Sequence, residues 1–301
     1  MSIESIFTAT KVIERIPKSL SPKLLLPGSV AIVGAGCGEL DLLTIQAARL
    51  IQSANAVVYD SLVSQEILSL CASDCARYFV GKRWGQPSAK QDDINVLLLA
   101  LAQDGKRVVR LKGGDPHVFG RGAEEALYLA EHGIKSQFVS GITAALGCAA
   151  SSGIPLTFRG LARSVTLVTG MQCDDSAAHW HALLSHQSTL VFYMGKEQAS
   201  HIEQQLLTKG ASEQLPLAFV TNGGRIDQVV TYGTLATLAH TASAIRVAGP
   251  SLLIIGEVVN IAMQLNQLLA QISTNDDGLR INGEVHYSPV YAANGAEVVY
   301  G

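Results

Sequence analysis

Ala31-Ile32-Val33-Gly34-Ala35-Gly36-Cys37-Gly38, running on to Asp41-Leu42-Leu43-Thr44, is the stretch from which the fold can be read. A β-branched run that breaks into alternating glycines predicts a strand ending in a tight turn, and the residues after it predict the opening of a helix. Glycines at such a turn leave the backbone bare, so a ligand can come close to it. The local spacing leaves two readings open. One is a dinucleotide site, in which Asp60 at the end of the next strand stands about 20 residues on, where a ribose-binding acid belongs. The other is a tight turn with no ligand. The spacing is GxGxG, and Glu39 occupies the last position of the dinucleotide fingerprint, which counts against the first reading.

Outward from this turn the pattern is regular. Short β-branched runs at 30–33, 56–59, 78–80, 108–111 and 137–139 alternate with helical spacing at 42–52, 94–103 and 124–132. That alternation predicts an α/β fold with a parallel sheet wrapped by helices. Arg110-Leu111-Lys112-Gly113-Gly114-Asp115-Pro116 repeats the strand-into-glycine theme, so two strand ends present bare backbone at one edge of the sheet, where open α/β sheets bind ligands. Around Gly153-Ile154-Pro155 the composition changes, and a second set of strands is expected at 165–169, 189–193, 217–220, 228–232 and 252–255. Asn222-Gly223-Gly224 lies between two of them and reads as a hairpin turn, which makes the second sheet mixed. The expected organisation is an arm at 1–27, an N-terminal α/β domain at 28–152, a C-terminal α/β domain at 153–272 and a tail at 273–301.

The totals narrow the function classes. A chain of 301 residues is long enough for two domains with real cores. With 22 Lys and Arg against 25 Asp and Glu, 16% charged and 48% hydrophobic residues, it is neither a disordered chain nor a generic nucleic-acid binder. No apolar run nears the ~20 residues that cross a bilayer, and Glu4 stands where a signal peptide would be basic, so a cytoplasmic protein with no membrane partner is expected. Five cysteines in a chain of this size fit reduced thiols. Cys71 and Cys75, four apart on an expected helix, read as buried thiols. His179, His181 and His186 lack a carboxylate partner and a helical register, so they read as surface histidines and no metal site is expected. From Arg77 to Arg163 there are twelve basic and seven acidic residues, a local excess of +5 that fits an anionic substrate or a solvated face equally well.

Taken in order, residues 33–44, Val57-Val58-Tyr59-Asp60-Ser61-Leu62-Val63, Gly81-Lys82-Arg83, 108–122, Gly141-Ile142-Thr143-Ala144-Ala145, Gly153-Ile154-Pro155-Leu156-Thr157 and Phe192-Tyr193-Met194-Gly195 resemble the uroporphyrinogen-III C-methyltransferases of the S-adenosylmethionine-dependent tetrapyrrole methylases. The resemblance runs over roughly residues 28 to 265. It implies a two-domain tetrapyrrole methylase fold, with the parallel sheet N-terminal, the mixed sheet C-terminal and the cofactor cleft between them. It also implies a homodimer that transfers two methyl groups from S-adenosylmethionine to uroporphyrinogen III, giving precorrin-2 and S-adenosylhomocysteine. Cofactor contacts would fall on Cys37, Gly113, Gly114, Asp115, Val118, Thr143, Ala144, Met194 and Gly223, and substrate contacts on Arg121, Arg159 and Met194. For proton handling the resemblance points to Asp60 as acceptor and Lys82 as donor, and equally to the Arg121 and Glu124 pair; the sequence does not choose between them. In this reading Asp60 serves the substrate and not a ribose.

The chain also departs from the pattern it resembles. Cys37, Ser140 and Gly224 stand for proline, proline and threonine; Pro87, Phe158 and Met171 for histidine; His117 for phenylalanine; and Ser151 for tyrosine. These departures leave room for a methyltransferase acting on another precorrin, or for a protein that binds a porphyrinogen or S-adenosylhomocysteine without turnover. A nicotinamide or flavin oxidoreductase built on residues 34–38 and Asp60 is the rival from another class.

Overall fold

The computed structural model describes residues 25–81, 90–171, 177–184 and 187–275. Lys82, Pro87, Cys173 and His186, most of the expected arm and the tail beyond residue 275 lie outside the described residues.

The first sheet holds five strands, β1 (Ser29–Gly34), β2 (Ala56–Tyr59), β3 (Ala76–Phe79), β4 (Arg107–Lys112) and β5 (Ser136–Val139), in the order β3-β2-β4-β1-β5. Every pairing in it is parallel. Residues 30–33 of β1 are fully buried on both faces, which is why the run reads as continuously apolar and does not alternate. Ala31, Val33, Val57, Val109 and Leu111 face α1 (Ile45–Ser53) and α2 (Gln65–Leu68). Val30, Ile32, Ala56, Val58 and Val108 face α3 (Gln91–Gln103) and α4 (Gly122–Glu131). The helix expected from Leu42 starts later, because Thr44 accepts a hydrogen bond from the Ala47 N–H at 3.2 Å and so caps α1; residues 40–42 form a single 3-10 turn ahead of it. Cys71 and Cys75 are buried, as expected, but not on a helix: α2 ends at Leu68, and both thiols lie in the turn leading to β3.

The second sheet holds β6 (Ser164–Thr169), β7 (Ser188–Tyr193), β8 (Pro216–Thr221), β9 (Val229–Thr234) and β10 (Ser251–Ile255), in the order β6-β7-β10-β8-β9. Only β6 and β7 run parallel; the other three pairings are antiparallel, so the sheet is mixed. Leu190, Phe192, Leu217, Phe219, Leu253 and Ile255 pack with α6 (Ala177–Leu183), α7 (Ala199–Thr208) and α8 (Leu238–Ala244). The opposite face, with Val191, Ala218, Val220, Leu252 and Ile254, packs with α5 (Ala144–Ser152) and α9 (Val258–Asn275). α5 follows the last strand of the first sheet in sequence, yet its buried Ala145 and Cys148 belong to this second core. It thus sits between the two sheets.

Candidate active site

The ends of β1, β4 and β5 are pressed together. Gly36 and Gly114 exchange backbone hydrogen bonds of 3.2 and 2.8 Å, so the two glycine turns continue each other. A Cβ on Gly34 would come within 2.5 Å of the Gly114 carbonyl and of the Gly141 N–H nitrogen, so no other residue fits at the point where the three strand ends meet. Asp115 fastens this arrangement. Its Oδ1 accepts from the His117 N–H at 2.8 Å and its Oδ2 from the Gly141 N–H at 3.1 Å, joining the loop after β4 to the loop after β5. The bare backbone expected at one edge is therefore a tied cradle of three loops.

Above the cradle opens a cleft of about 460 Å³, walled by both halves of the molecule. The expected residues Cys37, Asp60, Gly113, Gly114, Asp115 and Val118 reach it from the first sheet, Arg121, Thr143 and Ala144 from the starts of α4 and α5, and Met194 and Gly223 from the second sheet. Glu124 is tied to it through Arg121, whose Nε donates to Glu124 Oε2 at 2.9 Å; both side chains are more than half exposed. That pair raises the guanidinium and lowers the Glu124 carboxyl, each chiefly through the shared hydrogen bond. Arg159 is exposed in the loop after α5 and takes no part in the cleft wall. Thr143 occupies the residue before α5 but does not cap it. Its hydroxyl instead meets the Tyr193 hydroxyl at 2.6 Å, and that phenol oxygen accepts the Ala145 N–H at 3.0 Å, so the cap of α5 comes from the second sheet. Across the opening, Arg225 donates to the Leu62 carbonyl at 3.1 Å.

Several features of the site escaped the sequence. Beneath the cleft, Arg110 Nε and Lys112 Nζ lie 3.1 and 2.8 Å from the same oxygen of Glu125, and Gln91 donates to that oxygen at 3.3 Å. A further nitrogen of Arg110 stands 3.7 Å from Asp60 Oδ2, while Asp60 Oδ1 accepts the Leu62 N–H at 3.0 Å. Glu125 is wholly buried, and its second oxygen finds no hydrogen bond among the described residues. Burial, followed by repulsion from Arg110, lowers the Lys112 amine below the ordinary lysine range, with Glu125 and Asp60 acting in the opposite direction. Arg110 and Lys112, at i and i+2 in a central strand whose remaining residues after Arg107 are apolar, were the available signal, because alternate residues share one face. Phe119, Arg121 and Met194 in the cleft wall also hold positive φ angles of 52, 57 and 55°, strain that concentrates at this site. Finally, Cys37 Sγ lies 3.8 Å from Cys148 Sγ and 3.4 Å from the Gly223 carbonyl. The contact with Cys148 lowers the Cys37 thiol, aided by Arg225, and raises that of Cys148.

This geometry has relatives. Residues 29–239 match the family model of the tetrapyrrole (corrin/porphyrin) methylases. A siroheme synthase of Edwardsiella ictaluri is 51% identical over 239 residues, covering 79% of this chain and 51% of that protein, and siroheme synthase 2 of Serratia proteamaculans is 50% identical over 244 residues, covering 81% and 52%. The chain thus spans about half the length of the curated relatives it matches. Among solved structures, uroporphyrin-III C-methyl transferase from Thermus thermophilus, complexed with S-adenyl homocysteine, superposes with a TM-score of 0.67 at 37% identity, covering 77% of this chain and 99% of that one. A cobalt precorrin-4 methyltransferase shares the fold, with a TM-score of 0.69 at 23% identity. With a parallel sheet, a mixed sheet and the matched residues accounting for most of its length, the chain belongs to the tetrapyrrole (corrin/porphyrin) methylase family.

Proposed function

We propose that the cleft binds S-adenosylmethionine and directs its methyl group, twice in succession, to ring carbons of uroporphyrinogen III, giving precorrin-2 and S-adenosylhomocysteine. The observation that carries this reading is the tied glycine cradle under a cleft of about 460 Å³, in a chain that covers 99% of a solved methyltransferase holding the demethylated cofactor. The residues suit such a ligand. Gly113 and Gly114 offer backbone without side chains, Val118 and Met194 offer apolar surface, and Asp115 is already engaged by two backbone N–H groups, so its part is to hold the cradle in shape.

The bound cofactor supplies an electrophilic methyl group on a sulfonium. This chain must then position the acceptor carbon in line and take up the proton released. Asp60 is the acceptor that the geometry favours: it lines the cleft and is oriented on one oxygen by the Leu62 N–H and on the other by Arg110. Arg121, steered by Glu124, and Lys196 stand in the wall as cations for the macrocycle's carboxylates. In this reading Lys82 remains the proposed proton donor. Arg159, outside the cleft wall, serves as a contact for a peripheral carboxylate. The reading includes a homodimer in the cytoplasm and a division of the chain between residues 152 and 153. Exposed Leu146, Phe158 and Leu167 supply apolar surface for the partner copy.

The test is an anaerobic reaction of the purified protein with S-adenosylmethionine and enzymatically generated uroporphyrinogen III, followed by mass spectrometry of the tetrapyrrole. Gain of two methyl groups is expected, and Arg121→Ala should lower turnover far more than cofactor affinity. A tetrapyrrole that gains no methyl while S-adenosylhomocysteine still binds overturns the assigned substrate.

A further inference from the structure

The methyl-transfer reading gives Cys37 a place only as a cofactor contact and assigns no chemistry to a thiol, yet among the described residues the cleft wall holds two. Cys37 lies in the first glycine turn and Cys148 on α5, 111 residues apart in sequence, with Sγ atoms 3.8 Å apart. Both residues line the cleft, Cys37 half-buried and Cys148 buried behind it. The approach is built into the backbone: a Cβ on Gly147 would overlap the Cys37 side chain, and a Cβ on Gly223 would overlap Cys148 Sγ. Two glycines are thus needed to bring this pair together. Gly36 and Gly38, at φ 75 and 90°, flank Cys37 and let its loop turn without a side-chain clash.

We propose that Cys37 and Cys148 are an oxidisable dithiol, which hydrogen peroxide entering the cleft converts to an intramolecular disulfide that shifts the glycine turn at 36–38 and weakens cofactor binding. The cofactor part of this inference rests on the function proposed above; the disulfide does not. In the first step the Cys37 thiolate attacks one peroxide oxygen. An S–O bond forms, the O–O bond breaks, and the leaving hydroxide is protonated to water. In the second step Cys148 sulfur attacks Cys37 sulfur. The S–S bond forms, the S–O bond breaks, and the departing hydroxide takes the Cys148 proton as a second water. Two thiols lose two electrons and the peroxide gains them.

Cys37 is suited to the first step because its contact with Cys148 and the charge of Arg225 favour its thiolate, and Cys148, which keeps its proton, is suited to the second. Closure shortens the sulfur separation from 3.8 Å to a bond of about 2.05 Å. Since Gly36 is hydrogen-bonded through both its N–H and its carbonyl to Gly114, the pull on Cys37 is transmitted to the cradle.

The full-length protein is treated with hydrogen peroxide, its free thiols are alkylated, and the digest is mapped by mass spectrometry. The expected product is a peptide pair joined through Cys37 and Cys148, lighter by two hydrogens and separated by dithiothreitol. Calorimetry with S-adenosylhomocysteine should show affinity about tenfold weaker after oxidation and recovered on reduction. In Cys37→Ser the ratio of affinities before and after peroxide should be one. Alkylation of both thiols after peroxide, or oxidation of either to a sulfinic acid without the link, overturns the dithiol. A mapped disulfide with undiminished affinity overturns its action on the cradle. If the reduced protein binds no S-adenosylhomocysteine, the proposed function fails while the peptide map still decides the dithiol.

Discussion

The first sheet gives the cleft bare backbone and buried charge; the second half gives it mainly side chains, among them Met194, Lys196, Arg225 and one phenol, Tyr193. The contrast follows from strand direction. A parallel sheet places all its C-terminal strand ends at one edge, so three loops can meet over Gly34, Gly114 and Gly141. In a mixed sheet the strand ends are divided between two edges, and its contribution comes from scattered side chains. Rigidity in the first half is enforced by backbone packed on backbone and by buried ions. In the second it depends on side chains that have somewhere to go.

The largest effect should come from the buried ions. Glu125→Ala leaves Arg110 and Lys112 without their shared carboxylate, and a loss of about 3–5 kcal/mol in urea unfolding is expected. A loss below about 1 kcal/mol would mean that Asp60 alone balances both cations.

Glycine substitutions compare the two halves directly. Gly34→Ala confronts only backbone from two neighbouring loops and should cost about 3 kcal/mol. Gly223→Ala confronts the sulfur of Cys148, a side chain that can rotate, and should cost about 1–2 kcal/mol. Equal unfolding midpoints for the two variants would erase the contrast between backbone-built and side-chain-built walls.

Tyr193→Phe removes the second sheet's cap from α5 together with its contact to Thr143. It should cost about 1 kcal/mol by thermal unfolding, with faster hydrogen exchange at the Ala145 amide. Unaltered exchange there would show that α5 does not depend on the second sheet for its first turn.

The smallest effect is electrostatic. Because the Lys112 amine is lowered on folding, the unfolded chain holds that proton more tightly, and the burial penalty is present in full below the folded value. Stability therefore rises as pH climbs from that value to the ordinary lysine range. The unfolding free energy of the wild type relative to Lys112→Met should improve over this alkaline window, and a flat difference would place Lys112 in water.

The sequence disclosed what local chemistry determines. The glycine turn after residue 33, the strand runs and the mixed character of the second sheet could be read because neighbours in sequence carry them. Of the ion cluster only the spacing of Arg110 and Lys112 was legible, since Asp60, Arg110 and Glu125 are 15 and more residues apart and each acid is an ordinary charge until the fold buries it. Nor could the cap of α5 be read locally: Thr143 directly precedes the helix, yet the phenol that caps it comes from 50 residues on. The composition change near residue 153 marks where the second set of strands begins, and α5 just before it packs with β10 in the second core, a long-range contact that composition does not carry.

The order β7-β10-β8 has a consequence for synthesis. Among the described residues β10 is the last strand of its sheet to leave the ribosome, and it is the one that joins β7 to β8. Until residues 251–255 emerge, the second half consists of two separate ribbons, β6 with β7 and β8 with β9, each with open edges and neither stable by itself. A nascent chain stalled before Ser251 therefore exposes the unpaired edges that invite pairing between chains, and the five central residues of β10 remove that hazard.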